Sequence, residues 1–436
     1  TTWIALGLAL IGWLALAVPR ADGALAAAAA VPDEVRTFNQ QYLRSVTEIL
    51  ENMFYERARI REEWPAIVER HRPAIEGAAD IRALHAAITP ALGEFRVSHL
   101  AIIPQYVWDE YVQAEFDNQT RWRAGFELER IGNQYFCMGA GGPAAEQGLR
   151  RGDEILFIND IPVAESPDLF DAGSDPGIPQ HPHFVIRVRE GETFRVTFRS
   201  RLEAKPRTID VLPTLTNDIA ATRASVRVVE RGGLRIGYVH TVHFLNPAIT
   251  EIVWGAMRET FQHCDALVLD LRGSGGSPVV IRQLLAPFYP EGHPSRRGVR
   301  GAPLWTKPVV GLIDGNARSA KEIFSHVFRR DRLGLLVGRP TAGAVLGAQF
   351  APLPDGSRLM VPVVDGRRYT SDQVQLEGNP VLPHVHIEGT LAYAEGRDEI
   401  ADAGFKVAVS RVRELRAVGQ PKAFKLSRHG APTVAK

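Results

Sequence analysis

The stretch Ala266-Leu-Val-Leu-Asp-Leu-Arg-Gly-Ser-Gly-Gly-Ser277 decides the fold class of the second half of this chain. Its first residues form an unbroken apolar run, which predicts a fully buried strand, and the glycines after it predict a turn. Strands and helices alternate around it, with strand-like runs over 236–242, 266–271, 309–313 and 334–337 and helical patterns over 247–263, 278–288 and 320–330. This alternation predicts a layered α/β domain.

The first half of the chain has a different pattern. Apolar residues at a spacing of three to four over 33–57 and 81–92 predict amphipathic helices, and the β-branched run 96–103 predicts a strand. Short strands are then predicted over 136–138, 154–158, 184–188 and 194–198. Between them, segment 165–180 is rich in Pro, Gly, Asp and Ser, which is typical of a loop. A helical N-terminal region and a β-rich unit therefore precede the α/β domain.

Composition excludes several classes of protein. The 436 residues are 45% hydrophobic and 23% charged, which predicts a folded chain, and at roughly 150 residues per domain the length suggests two or three domains. The formal net charge of +1 gives no general attraction to nucleic acid. Cys137 and Cys264 show no spacing of a zinc site or a disulfide framework. No metal or other cofactor is implied.

The first 30 residues predict export. Residues 3–18 are 16 uncharged, mostly apolar residues, and an alanine-rich segment follows at 24–30. A helix of this length spans roughly 24 Å at 1.5 Å per residue, short of the ~30 Å of a bilayer core. We expect a signal peptide or a membrane anchor over 1–30, and a periplasmic, cell-envelope or extracellular location. The pattern leaves open whether the segment is cleaved.

Residues 139–162 resemble a PDZ domain. They read Gly-Ala-Gly-Gly-Pro-Ala-Ala-Glu-Gln-Gly-Leu-Arg-Arg-Gly-Asp-Glu-Ile-Leu-Phe-Ile-Asn-Asp-Ile-Pro, which combines a small-residue turn, a short helix, Gly-Leu, Gly-Asp and a strand that ends in Asn. The resemblance implies that an extended peptide adds to a sheet edge while backbone N–H groups hold its terminal carboxylate. Gly125 and Phe126 are the candidate peptide-binding residues, and polypeptides with accessible C-termini are the implied partners.

Four separated pieces resemble the tail-specific, or C-terminal processing, serine peptidases. They are Ser98-His99, Asp270-Leu-Arg-Gly-Ser-Gly-Gly-Ser277, Asn316-Ala-Arg-Ser-Ala-Lys-Glu-Ile-Phe324 and residues 359–387, in the order that this family has them. The resemblance implies a crotonase-like α/β peptidase core with an inserted PDZ-like domain. The expected units are 1–30 as signal or anchor, 31–114 as a helical region, 115–215 as the PDZ-like domain, 216–420 as the peptidase core and 421–436 as a flexible tail.

The resemblance also implies which residues are catalytic. The family's nucleophile stands three residues before a glutamate, which is Ser319 here. One branch of the family uses a lysine in a Thr-x-Gly-Lys-Gly turn, but this chain has Ala344 at that place. The other branch is similar to the tricorn protease and takes its base from a Ser-His pair and its orienting carboxylate from a late glutamate. His99 and Glu377 match those positions.

The implied mechanism is acyl transfer. Ser319 attacks the peptide carbonyl, His99 moves the proton and Glu377 orients the histidine. The expected donors of the oxyanion hole are the backbone N–H groups of Gly275 or Gly276 together with that of Ala320.

Each motif also has a structural interpretation. Ser319 and Glu322 together match a helix capping box, His99 fits a half-buried structural histidine, and Glu377 fits a solvated turn residue. Lys321 is a second candidate base, but two residues along a helix from Ser319 it projects from another face.

Two functions compete at this point. The first is an exported serine endopeptidase with PDZ-like recognition of substrate C-termini. The second is a catalytically silent relative that binds peptides or other ligands. The sequence predicts no nucleic-acid partner and leaves the oligomeric state open.

Overall fold

A computed structural model describes residues 31–171, 175–178 and 182–418. The predicted signal or anchor (1–30) and the predicted tail (421–436) lie outside these residues. The helices are α1 (Asp33–Met53), α2 (Arg57–Glu76), α3 (Ile81–Gly93), α4 (Gln105–Val107), α5 (Gln113–Phe116), α6 (Gly142–Glu146), α7 (Asp218–Ser225), α8 (Ala248–Arg258), α9 (Pro278–Leu285), α10 (Ala320–Arg330) and α11 (Glu399–Ala417).

The strands form four sheets within the described ranges. They are β1 (Ala101–Ile103), β2 (Arg121–Arg123), β3 (Phe126–Ile131), β4 (Gln134–Ala140), β5 (Glu154–Ile158), β6 (Ile161–Pro162), β7 (Leu169–Asp171), β8 (His183–Ile186), β9 (Phe194–Arg199), β10 (Arg207–Val211), β11 (Thr214–Thr216), β12 (Arg227–Arg231), β13 (Leu234–His240), β14 (Ala266–Asp270), β15 (Val309–Ile313), β16 (Leu335–Gly338), β17 (Gly347–Pro352), β18 (Arg358–Val364) and β19 (Val385–His386).

A six-stranded sheet with the order β12-β13-β14-β15-β16-β19 organises the second half of the chain. β12 is antiparallel to β13, and the other pairings are parallel. Residues of α8, α9 and α10 share one hydrophobic cluster with the sheet, and residues of α11 share another. The sheet is therefore covered on both sides, which explains why β14 and β15 are apolar and buried throughout. The predicted α/β class is confirmed.

The parallel arrangement brings three loops to one edge of this sheet. β13, β14 and β15 are neighbours and run in the same direction, so the residues that follow them meet beyond their carboxyl ends. These residues are 241–244, 271–277 and 314–319. The glycine-rich turn and Ser319 lie in two of the three loops.

The N-terminal helices pack on a small sheet with the order β1-β18-β17. The sequence analysis missed α2, which contains Pro65 and Pro73. The strand predicted over 96–103 was wrong in its extent, because Arg96 and His99 have φ values of 51° and 59° and only 101–103 are extended. Left-handed backbone interrupts a strand, and here it makes the tight turn that carries His99.

The β-rich unit has its own sheet, in the order β10-β9-β5-β4-β3-β8-β7, and its own core. The segment predicted as a loop over 165–180 contains β7, so that prediction was wrong at this point. The unit docks on the residues before α11, where Tyr393 N donates to Gly152 O at 2.8 Å. A Cβ at Gly152 would lie 2.2 Å from Ala394 N, so the close approach of the two backbones requires glycine there.

Candidate active site

Ser319 stands between β15 and α10 with an unusual backbone conformation. Its φ is 53° and its ψ is −124°, and its hydroxyl makes no capping bond to the helix. Its Oγ lies 3.5 Å from the Gly276 carbonyl oxygen, and its N–H donates to Ala344 O at 2.7 Å. A non-glycine residue in such a conformation costs about 1–3 kcal/mol and is typical of functional sites. The conformation aims the side chain away from the helix and towards the glycine-rich turn.

Glu322 does not form the capping box that its spacing suggested. Its carboxylate is buried and accepts hydrogen bonds from the Gly343 and Ala344 N–H groups at 2.8 and 2.9 Å, and from the Thr341 hydroxyl. The capping-box interpretation of Ser319 and Glu322 was therefore wrong. Glu322 instead fastens the turn 341–345 to α10.

His99 is joined to Glu377 through Ser98. The Ser98 hydroxyl lies 2.8 Å from His99 Nδ1 and 2.9 Å from Glu377 Oε2. Glu377 also accepts from the N–H groups of Ser98 and Val345, at 2.7 and 2.9 Å. The sequence analysis expected Glu377 to orient His99 itself, whereas the carboxylate contacts Ser98. It missed this role of Ser98, for which the Ser-His pair was the only signal.

These bonds fix the tautomer of His99. An ionised carboxylate only accepts, so the single proton of the Ser98 hydroxyl points to Glu377. The Ser98 oxygen then accepts from His99 Nδ1–H, and Nε2 carries the lone pair. In the described part of the chain, Nε2 has no hydrogen-bond partner and is not bonded to Ser319 Oγ. A histidine in this tautomer can accept a proton at Nε2.

The charges around His99 keep it neutral. Burial and the neighbouring Arg318 guanidinium lower the pKa of His99 to about 3, against a smaller opposing effect of Asp175. Asp175 and Arg318 form an ion pair in which the carboxylate is fully buried. Burial raises the pKa of Glu377 above its usual value, although three hydrogen bonds oppose that shift. The imidazole is therefore in its basic form over the whole physiological pH range.

Backbone donors surround the Ser319 hydroxyl. Within the described ranges, the N–H groups of Gly275, Gly276 and Ala320 have no hydrogen-bond acceptor. Ala320 is the first residue of α10, where a helix leaves its N–H unpaired. A Cβ at Gly275 would lie 2.9 Å from Ser319 Cβ, so the absence of a side chain lets this strand end approach the serine. Such donors can stabilise an oxyanion.

Two positions bear on whether a lysine could act as the base: Ala344, where a related branch has its lysine, and Lys321. Ala344 is fully buried, so this chain has only a methyl group where the Ser-Lys branch has its amine. Lys321 is also buried and donates to the carbonyls of Val242, Arg272 and Gly273, at 2.9, 3.0 and 2.9 Å. These three acceptors match the three donors of an ammonium group, and no hydrogen bond among the described residues joins Nζ to Ser319 Oγ.

Gly125 and Phe126 lie at the start of β3 in the β-rich unit. Gly125 has a φ of 82°, and its carbonyl accepts from Gly141 N at 2.8 Å. Phe126 is buried and stacks near Phe194, with ring centroids 6.3 Å apart. β3 pairs with β4 on one side, and Leu128 and Glu129 pair with β8 on the other. The edge of β3 on which a peptide could add is therefore partly occupied by β8.

Two further findings concern metals and membranes. Across the described ranges, no group of three or more His, Cys, Asp or Glu side chains is arranged to hold a metal ion. No helix in that part of the chain has both the length and the apolar character needed to span a bilayer.

Comparison with known proteins shows that this chain is similar to serine peptidases. Residues 235–387 match the family described as peptidase family S41. The matched segment includes the glycine-rich turn, Ser319, Ala344 and Glu377. The predicted resemblance to C-terminal processing and tricorn-like serine peptidases is confirmed.

Individual relatives come from both branches. The chain is 26% identical over 234 residues to a carboxyl-terminal-processing protease of Picosynechococcus sp., with 51% of this chain and 53% of that protein covered. It is 25% identical over 377 residues to the putative tricorn protease homolog 2 of Streptomyces coelicolor, with 80% of this chain and 30% of that protein covered. The chain thus spans about half or less of the length of these curated relatives.

A solved structure supports the fold. The structure of mature CPAF complexed with lactacystin covers 87% of this chain and 99% of its own, with a TM-score of 0.52 and 12% identity. At that identity the likeness concerns the fold alone.

Proposed function

We propose that this chain is an exported serine endopeptidase that cleaves peptides or unfolded proteins, with Ser319 as its nucleophile. The observation that carries the proposal is the hydrogen-bonded series Glu377–Ser98–His99, which leaves His99 Nε2 with a lone pair. His99 also lies within the electrostatic influence of Arg318, the residue before Ser319. The match of residues 235–387 to a serine-peptidase family supports the same chemistry.

The proposed reaction has two acyl-transfer steps. Ser319 Oγ attacks the scissile carbonyl while His99 Nε2 takes the hydroxyl proton and then gives it to the leaving amine. Water, activated by the same nitrogen, then hydrolyses the acyl-serine. Glu377 stabilises the imidazolium through Ser98, and the N–H groups of Gly275, Gly276 and Ala320 receive the negative charge on the former carbonyl oxygen.

The remaining assignments belong to the same proposal. The core over 216–420 is crotonase-like, the unit over 115–215 is PDZ-like and presents the C-terminus of a substrate, and the helical region over 31–114 supplies His99. Residues 1–30 direct the chain to a periplasmic, cell-envelope or extracellular location. The apolar run at 3–18 and the motif at 139–162 support these assignments.

The decisive experiment compares the wild-type chain with Ser319→Ala. We expect Ser319→Ala to abolish hydrolysis of a denatured test protein and labelling by a fluorophosphonate, with little change in the thermal transition because Ser319 makes no capping bond. Thr306→Ala, at an exposed position remote from the site, is the matched control and should keep full activity.

The competing function is a silent peptide-binding scaffold. If the wild-type chain neither hydrolyses the test protein nor reacts with the fluorophosphonate at Ser319, the peptidase proposal is wrong and the scaffold is favoured. Equal hydrolysis by Ser319→Ala would assign the reaction to another residue.

A further inference from the structure

Lys321 is buried at the junction of three loops. It has no solvent exposure, and its Nζ lies within 3.0 Å of the carbonyl oxygens of Val242, Arg272 and Gly273. It belongs to the first turn of α10, directly after Ser319 and Ala320. One side chain of the nucleophile's helix therefore contacts the carboxyl-terminal ends of β13 and β14.

The number of acceptors matches an ammonium group. A protonated lysine has three N–H donors in a tripod, and here each donor meets one backbone carbonyl. These carbonyls follow the ends of parallel strands and have left the ladder. Arg272 O also lies 3.3 Å from His240 Nε2, whereas within the described ranges the Val242 and Gly273 carbonyls have no donor besides Lys321. Leaving a buried acceptor unpaired is costly, which makes this contact specific rather than incidental.

The contact acts on a strained loop. Gly273 and Ser274 have φ values of 67° and 48°. The loop is fixed elsewhere, because Gly273 N donates to Asp314 Oδ1 at 3.0 Å and the Arg272 guanidinium is bidentate to Asp398 at 2.8 Å. Lys321 bonds to the Arg272 and Gly273 carbonyls, the first of which also contacts His240 Nε2 at 3.3 Å. Gly275 and Gly276, whose N–H groups have no acceptor among the described residues, follow two and three residues after Gly273.

We propose that Lys321 is a positioning residue that holds the 272–276 loop so that the Gly275 and Gly276 N–H groups converge on the reacting carbonyl. This inference rests on the proposed function, since it assigns the donors of the same site. It differs from the role of a general base, because Nζ is hydrogen-bonded to three carbonyls of the strand-end loops and not to Ser319 Oγ.

Burial and nearby carboxylates act in opposite directions on the charge of Lys321. Burial lowers the pKa of Lys321 to about 7, while the surrounding carboxylates of Asp270, Asp314 and Asp218 oppose the shift. The cation is also near the Phe244 ring, with Nζ 5.9 Å from the centroid. Phe244 N donates to Gly275 O at 2.8 Å, so the same contacts reach the glycine that faces Ser319.

The first test is the kinetics of Lys321→Met in the full chain. Met keeps the length of the side chain and removes all three donors. Because oxyanion donors act only in the transition state, kcat should fall by roughly 10²-fold while KM changes by less than about threefold. Lys307→Met is the matched control, since Lys307 also donates to a backbone carbonyl, that of Gln262 at 2.7 Å, and lies over an aromatic ring. It should keep the wild-type kcat.

The second test reads the loop without using activity. Amide hydrogen exchange of residues 272–277 should be faster in Lys321→Met than in the wild-type chain, and unchanged in Lys307→Met. If Lys321→Met does not fold, Lys321→Gln replaces it, because its amide keeps two N–H donors, and a kcat between those of wild type and Ser319→Ala is expected.

The outcomes separate the two proposals. A folded Lys321→Met or Lys321→Gln with wild-type kcat and unchanged exchange would overturn the positioning role while the peptidase stands. A wild-type chain that is inert towards substrate and fluorophosphonate would overturn the peptidase, and the exchange experiment would still decide whether Lys321 fixes the loop. A rise in KM with unchanged kcat would place Lys321 in substrate binding and overturn the inference as well.

Discussion

At the scale of single residues, the pH dependence of the reaction follows from the surroundings of His99. A solvent-exposed histidine base would make the rate fall below about pH 6.5, where it becomes protonated. Burial and Arg318 instead lower the pKa of His99 to about 3. We therefore predict that kcat/KM, or the rate of fluorophosphonate labelling of Ser319, stays flat from about pH 8 to 5 and falls only in more acidic solution.

The stability of the fold should respond in the same window. The pKa of His99 is lower in the folded chain than in the unfolded chain, so the unfolded chain binds more protons between pH 6.5 and 3. The contribution of His99 to stability is complete above pH 6.5 and is lost as the pH falls through this range. Circular dichroism at each pH separates loss of fold from loss of reactivity. If the labelling rate of the folded protein instead fell near pH 6.5, His99 would be solvated, which would contradict the site geometry.

The candidate site residues could be predicted from the sequence, but the hydrogen bonds between them could not. Ser319, His99 and Glu377 were predicted because each lies in a short motif with a recognisable pattern. The bond from Glu377 to His99 runs through Ser98 because the left-handed backbone at His99 turns both side chains of the pair towards each other. The arrangement depends on contacts between Ser98 and Glu377, which are far apart in the sequence, so no local pattern predicts it.

At the scale of elements, the turn 341–345 connects Ser319 to Glu377. Ala344 O accepts from Ser319 N, and Val345 N donates to Glu377. Glu322 holds the turn with three acceptor contacts. This arrangement gives the turn a structural role that does not depend on a lysine at position 344.

Glu322→Gln tests this element. A carboxamide has one acceptor oxygen, so it cannot replace all three contacts, and we predict a loss of about 1–3 kcal/mol in the free energy of unfolding at pH 8. Burial raises the pKa of Glu322 to about 7, above its value in the unfolded chain. The wild-type glutamate therefore contributes most below about pH 4.5, and this contribution is lost as the pH rises through about 7.

The measurement is urea unfolding of both chains at several pH values. The wild-type free energy of unfolding minus that of Glu322→Gln should fall as the pH rises from about 4.5 to 7, because Gln does not titrate. Glu259→Gln, an exposed residue at the end of α8, is the matched control. A pH-independent difference would mean that Glu322 titrates as in the unfolded chain.

Elements were predictable where one pattern dominates. α10 and β15 match their predicted limits of 320–330 and 309–313, since strong amphipathicity and a pure apolar run leave no competing structure. α2 was missed because Pro65 and Pro73, which usually end helices, are accommodated inside it. Packing of α2 against α1 and α3 stabilises the helix despite its two prolines.

At the scale of the whole molecule, the arrangement of the β-rich unit constrains how a substrate C-terminus could bind. β8 pairs with β3 at Leu128 and Glu129, and His183 forms an ion pair with Glu127. The pairing of β8 with β3 joins segments that are over 50 residues apart in the sequence, so no local pattern predicts it. A peptide that adds to β3 beyond Glu127 must displace β8.

Two consequences follow for peptide binding by the full chain in a Ser319→Ala background. If backbone donors near Gly125 and Phe126 hold a terminal carboxylate, amidation of a peptide should weaken its binding by roughly 10- to 100-fold, the equivalent of about 1.5–3 kcal/mol for a charge-assisted hydrogen bond.

The substitution Phe184→Ala removes the ring contact of β8 with Tyr135 and should loosen the pairing of β8 with β3. We therefore expect it to tighten binding of the peptide with a free carboxylate. Phe157→Ala, a half-exposed phenylalanine on β5, is the control and should bind as the parent does. Fluorescence anisotropy measures the affinity of each chain for the acid and for the amide. Equal binding of acid and amide by Phe184→Ala would contradict carboxylate recognition and reduce the β-rich unit to a spacer, while the proposal for Ser319 and His99 would stand.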